Sequence, residues 1–294
     1  MKTILGFIRG AVIVLWTLFF CFSASTHADT LSKIRASGEF VVGHRESSAP
    51  FSYIDSSGKP TGYSVDLCLY IFEHLKTELK RADLKVKYVA LKPADRIAAV
   101  KDGRVDVECG STTNTVARQK DVAFSYTTFV AGARLLAKKE ANFKGFADLR
   151  GKTIVATEKT TTADLLKKAF SERNIPVTII FAKDHAEAFQ KMQSGEVAAV
   201  ANDDALLVGL IAKSGTPDAF DFVGKFLSVE PYGVMLRKDD PAFAKSVSSA
   251  FVNLFESGEI RKLYAKWFES GAFKLAMNQY MKENIRLPNT YGVQ

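Results

Sequence analysis

Apolar and polar positions along the chain switch repeatedly between a period near two and a period near 3.6. The run EFVVG at 39–43 is rich in β-formers and stops at a glycine, which predicts a short strand. Over 64–79, apolar residues fall at 65, 68, 69, 72, 75 and 79, the spacing of one helix face, and Ser64 stands where an N-cap belongs. At 84–91, Leu84, Val86 and Tyr88 alternate with lysines and predict a strand. A short helix over 94–101 is stopped by Gly103, and a strand over 105–109 runs into Gly110-Ser-Thr-Thr.

The same order then repeats. A strand at 153–156 leads to the turn Thr160-Thr161-Thr162, a helix at 163–172, a strand at 176–181, a helix at 186–192 stopped by Gly195, and a strand at 197–201 before Asn202-Asp203-Asp204. Gly103 lies eight residues before Ser111, and Gly195 lies eight before Asp203, so the two units agree in spacing. Each reads as βαβαβ, which predicts an α/β protein of two lobes, each a mainly parallel sheet with right-handed crossovers. Ligands of open α/β sheets bind beyond the carboxyl ends of the strands. Here those ends carry Arg45, Ser111 to Thr113, Thr160-Thr161 and Asp203, drawn equally from both units. Mixed apolar and turn residues at 222–235 return the chain. A helix then starts at Asp240-Pro241 and buries Phe243, Val247, Phe251 and Leu254, and another follows over 259–268. No element is predicted after Ser270.

Residues 1–28 read as a secretory signal peptide. Lys2 and Arg9 precede a short apolar run, and small residues at Thr26 and Ala28 suit a cleavage site. The expected product is an exported, soluble protein, in the periplasm or the medium. Its composition is that of a globular chain, with 47% hydrophobic and 24% charged residues, which excludes a disordered or fibrous one. The net charge of +8 is dispersed, so nucleic acid is not an expected partner. Cys68 and Cys109 remain after the leader; they could pair in an oxidising compartment or stand as two buried thiols.

No HExxH, GxSxG, P-loop or GxGxxG is present, and no Cys/His set has metal-ligand spacing, so no cofactor or metal is expected. What stands at the strand ends is a set for recognising ions: Arg45 in GHRESS, Arg96, Arg118 after STTN, His185 and Asp203. Each has an ordinary structural reading as a surface arginine, a turn threonine or a helix cap. Only their joint placement points to a ligand.

The stretches VVGHRESSAPFSY (41–53), ECGSTTNTVARQKDVAFS (108–125), TTTADLL (160–166), FAKDHAEAF (181–189), NDDALLVG (202–209) and YGVMLRKDDP (232–241) resemble the extracellular solute-binding proteins of polar amino-acid ABC transporters, family 3, in their glutamate/aspartate-binding branch. The resemblance implies a type II periplasmic-binding-protein fold with a two-strand hinge near 127–134 and 228–232. Lobe 1 would span 29–130 plus 231–294, and lobe 2 would span 131–230. It implies a monomer that closes on L-glutamate or L-aspartate and delivers it to the permease subunits of an ABC transporter. By position, Arg118 would grip the α-carboxylate, with Ser111, Thr113, Thr160 and Thr161 adding hydrogen bonds. Asp203 would accept the α-ammonium, and Arg45, Arg96 and His185 would surround the side-chain carboxylate. Three arginines and Asp203 sum to +2, or +3 with His185 protonated, which suits an acidic guest. Pro93 departs from the hydroxyl residue of that branch. Two further readings are a cyclohexadienyl (arogenate or prephenate) dehydratase on the same fold, with Glu46 or Glu158 as its acid, and a sensory module acting in trans.

Overall fold

The computed structural model describes residues 29–270 and 273–294, so the signal-peptide segment lies outside the described residues. Two five-stranded sheets form the body, and both have the same order. In the first, the strands run Lys85–Ala90, Glu39–His44, Val107–Glu108, Met235–Arg237 and Val122–Phe124. In the second they run Thr178–Ala182, Thr153–Thr157, Ala199–Asp203, Ala133–Lys138 and Phe220–Val223. The first three strands of each sheet are parallel, as the repeated βαβαβ pattern predicts. The fourth strand is antiparallel in both, because it arrives through the linker from the other sheet instead of through a helical crossover.

Central strands buried on both faces explain the near-continuous apolar runs. Along the second sheet, Leu135, Ile154, Ala156, Ala199 and Ala201 pack to one side, and Leu136, Val155 and Val200 to the other. The first sheet splits likewise, with Phe40 and Val42 on one face and Val41 and Met235 on the other.

Helix periodicity held where predicted, with ends shifted by one or two residues: Tyr63–Glu78, Arg96–Lys101, Thr161–Glu172, His185–Gln193 and Pro241–Glu256. Ser64 does not cap its helix. The N-cap is Gly62, which makes no side-chain bond, and the Ser64 hydroxyl donates to the Gly110 carbonyl at 2.6 Å instead. The helix Glu259–Tyr264 continues through one π-helical turn, Ala265–Glu269. A helix at Thr30–Ser37 and the strand Val122–Phe124 carry no predicted counterpart.

Cys68 and Cys109 are joined by a disulfide, which settles the open pairing. The bond ties the helix Tyr63–Glu78 to the end of the strand that leads into Gly110. Its sequence separation is 41 residues, so replacing both cysteines by alanine should lower unfolding stability by about 4 kcal/mol. Urea denaturation of the two forms checks this.

A two-stranded antiparallel ladder links the sheets, pairing Phe129–Ala131 with Glu230–Tyr232. The chain after Ser270, for which no element is predicted, braces this ladder. Asn278, the N-cap of the helix Gln279–Arg286, donates to the Val130 carbonyl, and Asn284 within that helix donates to the Thr127 carbonyl, each at 2.7 Å. The last residues then bridge back, with Val116 N–H donating to the Val293 carbonyl at 2.9 Å.

Candidate functional site

The carboxyl ends of the parallel strands from both sheets face one another, and a cleft of about 690 Å³ opens between them beside Pro93, Arg118, Lys159, Thr161 and Glu230. The lobes are in contact across it. Thr113 and Thr161 bring their hydroxyls to 3.4 Å. Arg96 and Arg118 each reach the Lys159 carbonyl at 3.5 Å. Lys159 presents that carbonyl from a left-handed turn at φ 57°, a backbone contact that no side-chain pattern in the sequence signals.

Arg45 follows the strand Glu39–His44 and is 1% exposed. Its Nε and Nη1 have no hydrogen-bond partner. Burial, with the neighbouring Arg96 charge, pulls its pKa down to about 10. Arg96 opens the next short helix, is equally buried, and donates from Nη1 to the Thr112 hydroxyl at 2.9 Å; its Nε is also unpartnered. Desolvation lowers its pKa as well. The buried hydroxyl of Ser111 beside them is free. Buried N–H and O–H groups without acceptors are costly, and their concentration at one spot marks where an anionic guest would be received.

Arg118 sits at the rim, only partly buried, and donates from Nη1 to the Thr113 carbonyl at 2.8 Å. Desolvation and the field of Arg96 bring its pKa down to about 9. Across the cleft, Asp203 ends the strand Ala199–Asp203 and is 5% exposed. It precedes the helix Asp204–Lys213 but makes no side-chain cap bond. Its carboxyl accepts from the Thr162 hydroxyl at 3.0 Å and from the Tyr232 hydroxyl, so the helix-cap role is excluded. Burial and the nearby Glu230 push its pKa up to about 7. His185 begins its helix while Asp184 caps it, and its Nδ1 pairs with the Thr157 hydroxyl at 2.8 Å. Burial and the Arg45 and Arg96 charges hold it neutral, well below its ordinary pKa, which removes the +3 count.

Two expectations change. Thr160 caps the helix Thr161–Glu172: its hydroxyl accepts from Ala163 N–H at 3.2 Å and donates to the Thr157 carbonyl at 2.7 Å, so its side chain is already occupied. The surplus of two positive charges is also not what the structure holds. Glu108 and Glu230 are fully buried in the same region, the latter accepting from Thr161 at 2.8 Å and from Ser228. Three arginines therefore face three carboxylates. Net charge alone therefore does not mark the region as one for an anion. Glu108 reads in sequence as a strand residue and Glu230 as part of a return segment; neither stands out as a site residue before the sheets are assembled.

The family profile of bacterial extracellular solute-binding proteins, family 3, matches residues 40–270. A glutamate/aspartate import solute-binding protein of Escherichia coli is 46% identical over 84% of this chain and 82% of its own length. An L-glutamate/L-aspartate-binding protein of Pseudomonas aeruginosa is 48% identical over 81% of this chain and 80% of its own. Among solved structures, an ancestral arginine-binding protein bound to arginine superposes with a TM-score of 0.70 at 29% identity, covering 79% of this chain and 98% of that one. An ancestral amino acid-binding protein described as a precursor of cyclohexadienyl dehydratase gives 0.70 at 30% identity, covering 82% of this chain and 100% of that one. With this agreement of profile, relatives, sheet order and hinge, the chain belongs to the bacterial extracellular solute-binding proteins, family 3.

Proposed function

We propose that this chain is the periplasmic solute-binding component of an ABC transporter for acidic L-amino acids. The observation that carries the reading is the set of buried, unpartnered donors on Arg45, Arg96 and Ser111 of the first unit, with Arg96 also reaching the second unit at the Lys159 carbonyl. A planar guanidinium matches a carboxylate with parallel hydrogen bonds, which suits the side-chain carboxylate of glutamate or aspartate. Arg118 takes the α-carboxylate, aided by Thr113 and Thr161, and Asp203 takes the α-ammonium. His185, neutral and tied to Thr157, lines the side-chain end of the cleft. The two named relatives at 46% and 48% identity carry the same ligand class in their names.

In this reading residues 1–28 direct export and are removed. Lobe 1 comprises 29–130 with 231–294, lobe 2 comprises 131–230, and the monomer closes about the linking ladder to present ligand to permease subunits. No helix among the described residues is long and apolar enough to cross a membrane. The dehydratase reading is not favoured, because those relatives are named as binding proteins and Glu46 is exposed.

The test is thermal. Glutamate or aspartate at about a thousand times its dissociation constant should add about 4 kcal/mol to unfolding stability. No stabilisation by either amino acid contradicts the proposal.

A pH dependence follows from Asp203. Its pKa rises from an ordinary 3.8 to about 7 in the folded, ligand-free protein. The protonated form therefore stabilises the fold at low pH, and that contribution is lost as pH climbs through about 7. A ligand ammonium favours the carboxylate, so binding below that pH releases a proton. Affinity for glutamate should rise from about pH 5 to about pH 7 and then level off, by at most about tenfold per pH unit. Calorimetry in buffers of different ionisation enthalpy measures the released proton.

A further inference from the structure

Glu108 is the most deeply enclosed carboxylate in the region, at 0% exposure. It ends the strand Val107–Glu108, paired with Gly43 on one side and Met235 on the other. Gly110 lets it fold back beside Arg45. A Cβ at Gly110 would lie 2.2 Å from Glu108 Oε1 and 2.9 Å from Arg45 Cγ, so a side chain there would displace both.

The hydrogen-bond chain that starts at Glu108 has only one polarity. A guanidinium can only donate, so Arg96 Nη1 donates to the Thr112 hydroxyl at 2.9 Å. The single Thr112 proton is then directed to Glu108 Oε2 at 2.8 Å. Thr112 is itself fully buried, so no solvent competes for the hydroxyl. Glu108 Oε1 has no donor, and the carboxylate is held by that one bond and by the field of the arginines around it.

We propose that Glu108 and Thr112 are positioning residues for acid selectivity: acting through the Thr112 hydroxyl, Glu108 fixes the Arg96 guanidinium, and its charge offsets repulsion between Arg96 and Arg45. The inference rests on the reading of the cleft as an acidic amino-acid site. Without the chain, Arg96 Nη1 loses its acceptor, and the weak contact with the Lys159 carbonyl at 3.5 Å is left to orient the guanidinium. A directed bond to a charged group contributes about 1.5–3 kcal/mol, or roughly tenfold to a hundredfold in affinity. The loss falls on ligands that place a carboxylate against Arg96, and much less on their amides.

The test is calorimetry of glutamate and of glutamine on wild type, Thr112→Val, Thr112→Ser and Glu108→Ala, with circular dichroism checking each fold. Thr112→Val is nearly isosteric and keeps the test available if Glu108→Ala does not fold. Thr112→Val should weaken glutamate at least about tenfold and shrink the glutamate-to-glutamine affinity ratio by a similar factor, while Thr112→Ser stays within about threefold of wild type. An equal loss for both ligands, or no loss, in Thr112→Val overturns the inference while leaving the ligand reading intact. Wild-type protein that binds neither amino acid overturns the ligand reading, and this inference with it.

Discussion

Replacing Arg45 by alanine should weaken glutamate binding by at least about thirtyfold while the ligand-free protein melts no lower than wild type. Both halves follow from the same placement. Arg45 is buried to 1% exposure, with Nε and Nη1 unpartnered, and burial has already pulled its pKa down to about 10. In the ligand-free state it is therefore a charge held out of water without a satisfying partner, which destabilises the fold. In the complex it would face the guest's side-chain carboxylate, and removing it would leave that carboxylate desolvated. Truncating one side of such a pair costs about 2–5 kcal/mol. Calorimetry gives the affinity and a melting curve gives the stability. A large fall in melting temperature with unchanged affinity would place Arg45 among structural residues.

The second large effect lies outside the cleft. Gly209, in the helix Asp204–Lys213 of the second unit, packs against Ala49 and Pro50 of the first. A Cβ there would stand 2.1 Å from the Ala49 carbonyl oxygen, a backbone atom that cannot step aside. The same helix sends Ala205 and Leu206 into the first unit's apolar core, and Lys213 lies 3.7 Å from the centre of the Tyr53 ring. Gly209→Leu should therefore prop the lobes apart. Leucine is also a better helix former than glycine by up to about 1 kcal/mol, so the second unit should fold normally. If closure becomes rare, apparent affinity falls in proportion to the closed fraction, here by about a hundredfold. Small-angle scattering should show the variant staying expanded when glutamate is added, with wild type contracting. Wild-type affinity and contraction in Gly209→Leu would show that the contact is not needed for closure.

The two predictions draw on different depths of sequence reading. Arg45 was legible because a strand ending in glycine must deliver the next residues to the sheet's carboxyl edge. The same logic singled out Arg96, Ser111, Thr113, His185 and Asp203, all buried, and Arg118, which lines the cleft. Gly209 was not legible, since a glycine inside an apolar helix carries no mark of what packs on it from another lobe. Asp203 was ambiguous between cap and ligand group, and the hydroxyls of Thr162 and Tyr232, the latter 29 residues later, show that its side chain does not cap the helix. Thr160 and Thr161 are indistinguishable in a run of threonines; the helix start decides that Thr160 caps and Thr161 turns toward Glu230. Glu108 and Glu230 were hidden because a buried carboxylate leaves no trace in hydrophobic periodicity. The two antiparallel strands of the first sheet escaped for a related reason: Val122–Phe124 and Met235–Arg237 are too short to show alternation, and the pairing of the second depends on a chain crossing far away.

The central claim is that converging guanidinium groups from separate stretches select an acidic amino acid and hold it between the lobes. Calorimetric titration of the wild-type protein with glutamate, aspartate, glutamine and asparagine tests it most directly. The account predicts that both acids bind within about two orders of magnitude of each other, since one methylene is worth about 1–3 kcal/mol. It predicts that each acid outcompetes its amide by at least about a hundredfold, because an amide leaves a buried guanidinium without its partner. Glutamine or asparagine binding as tightly as the corresponding acid would contradict it.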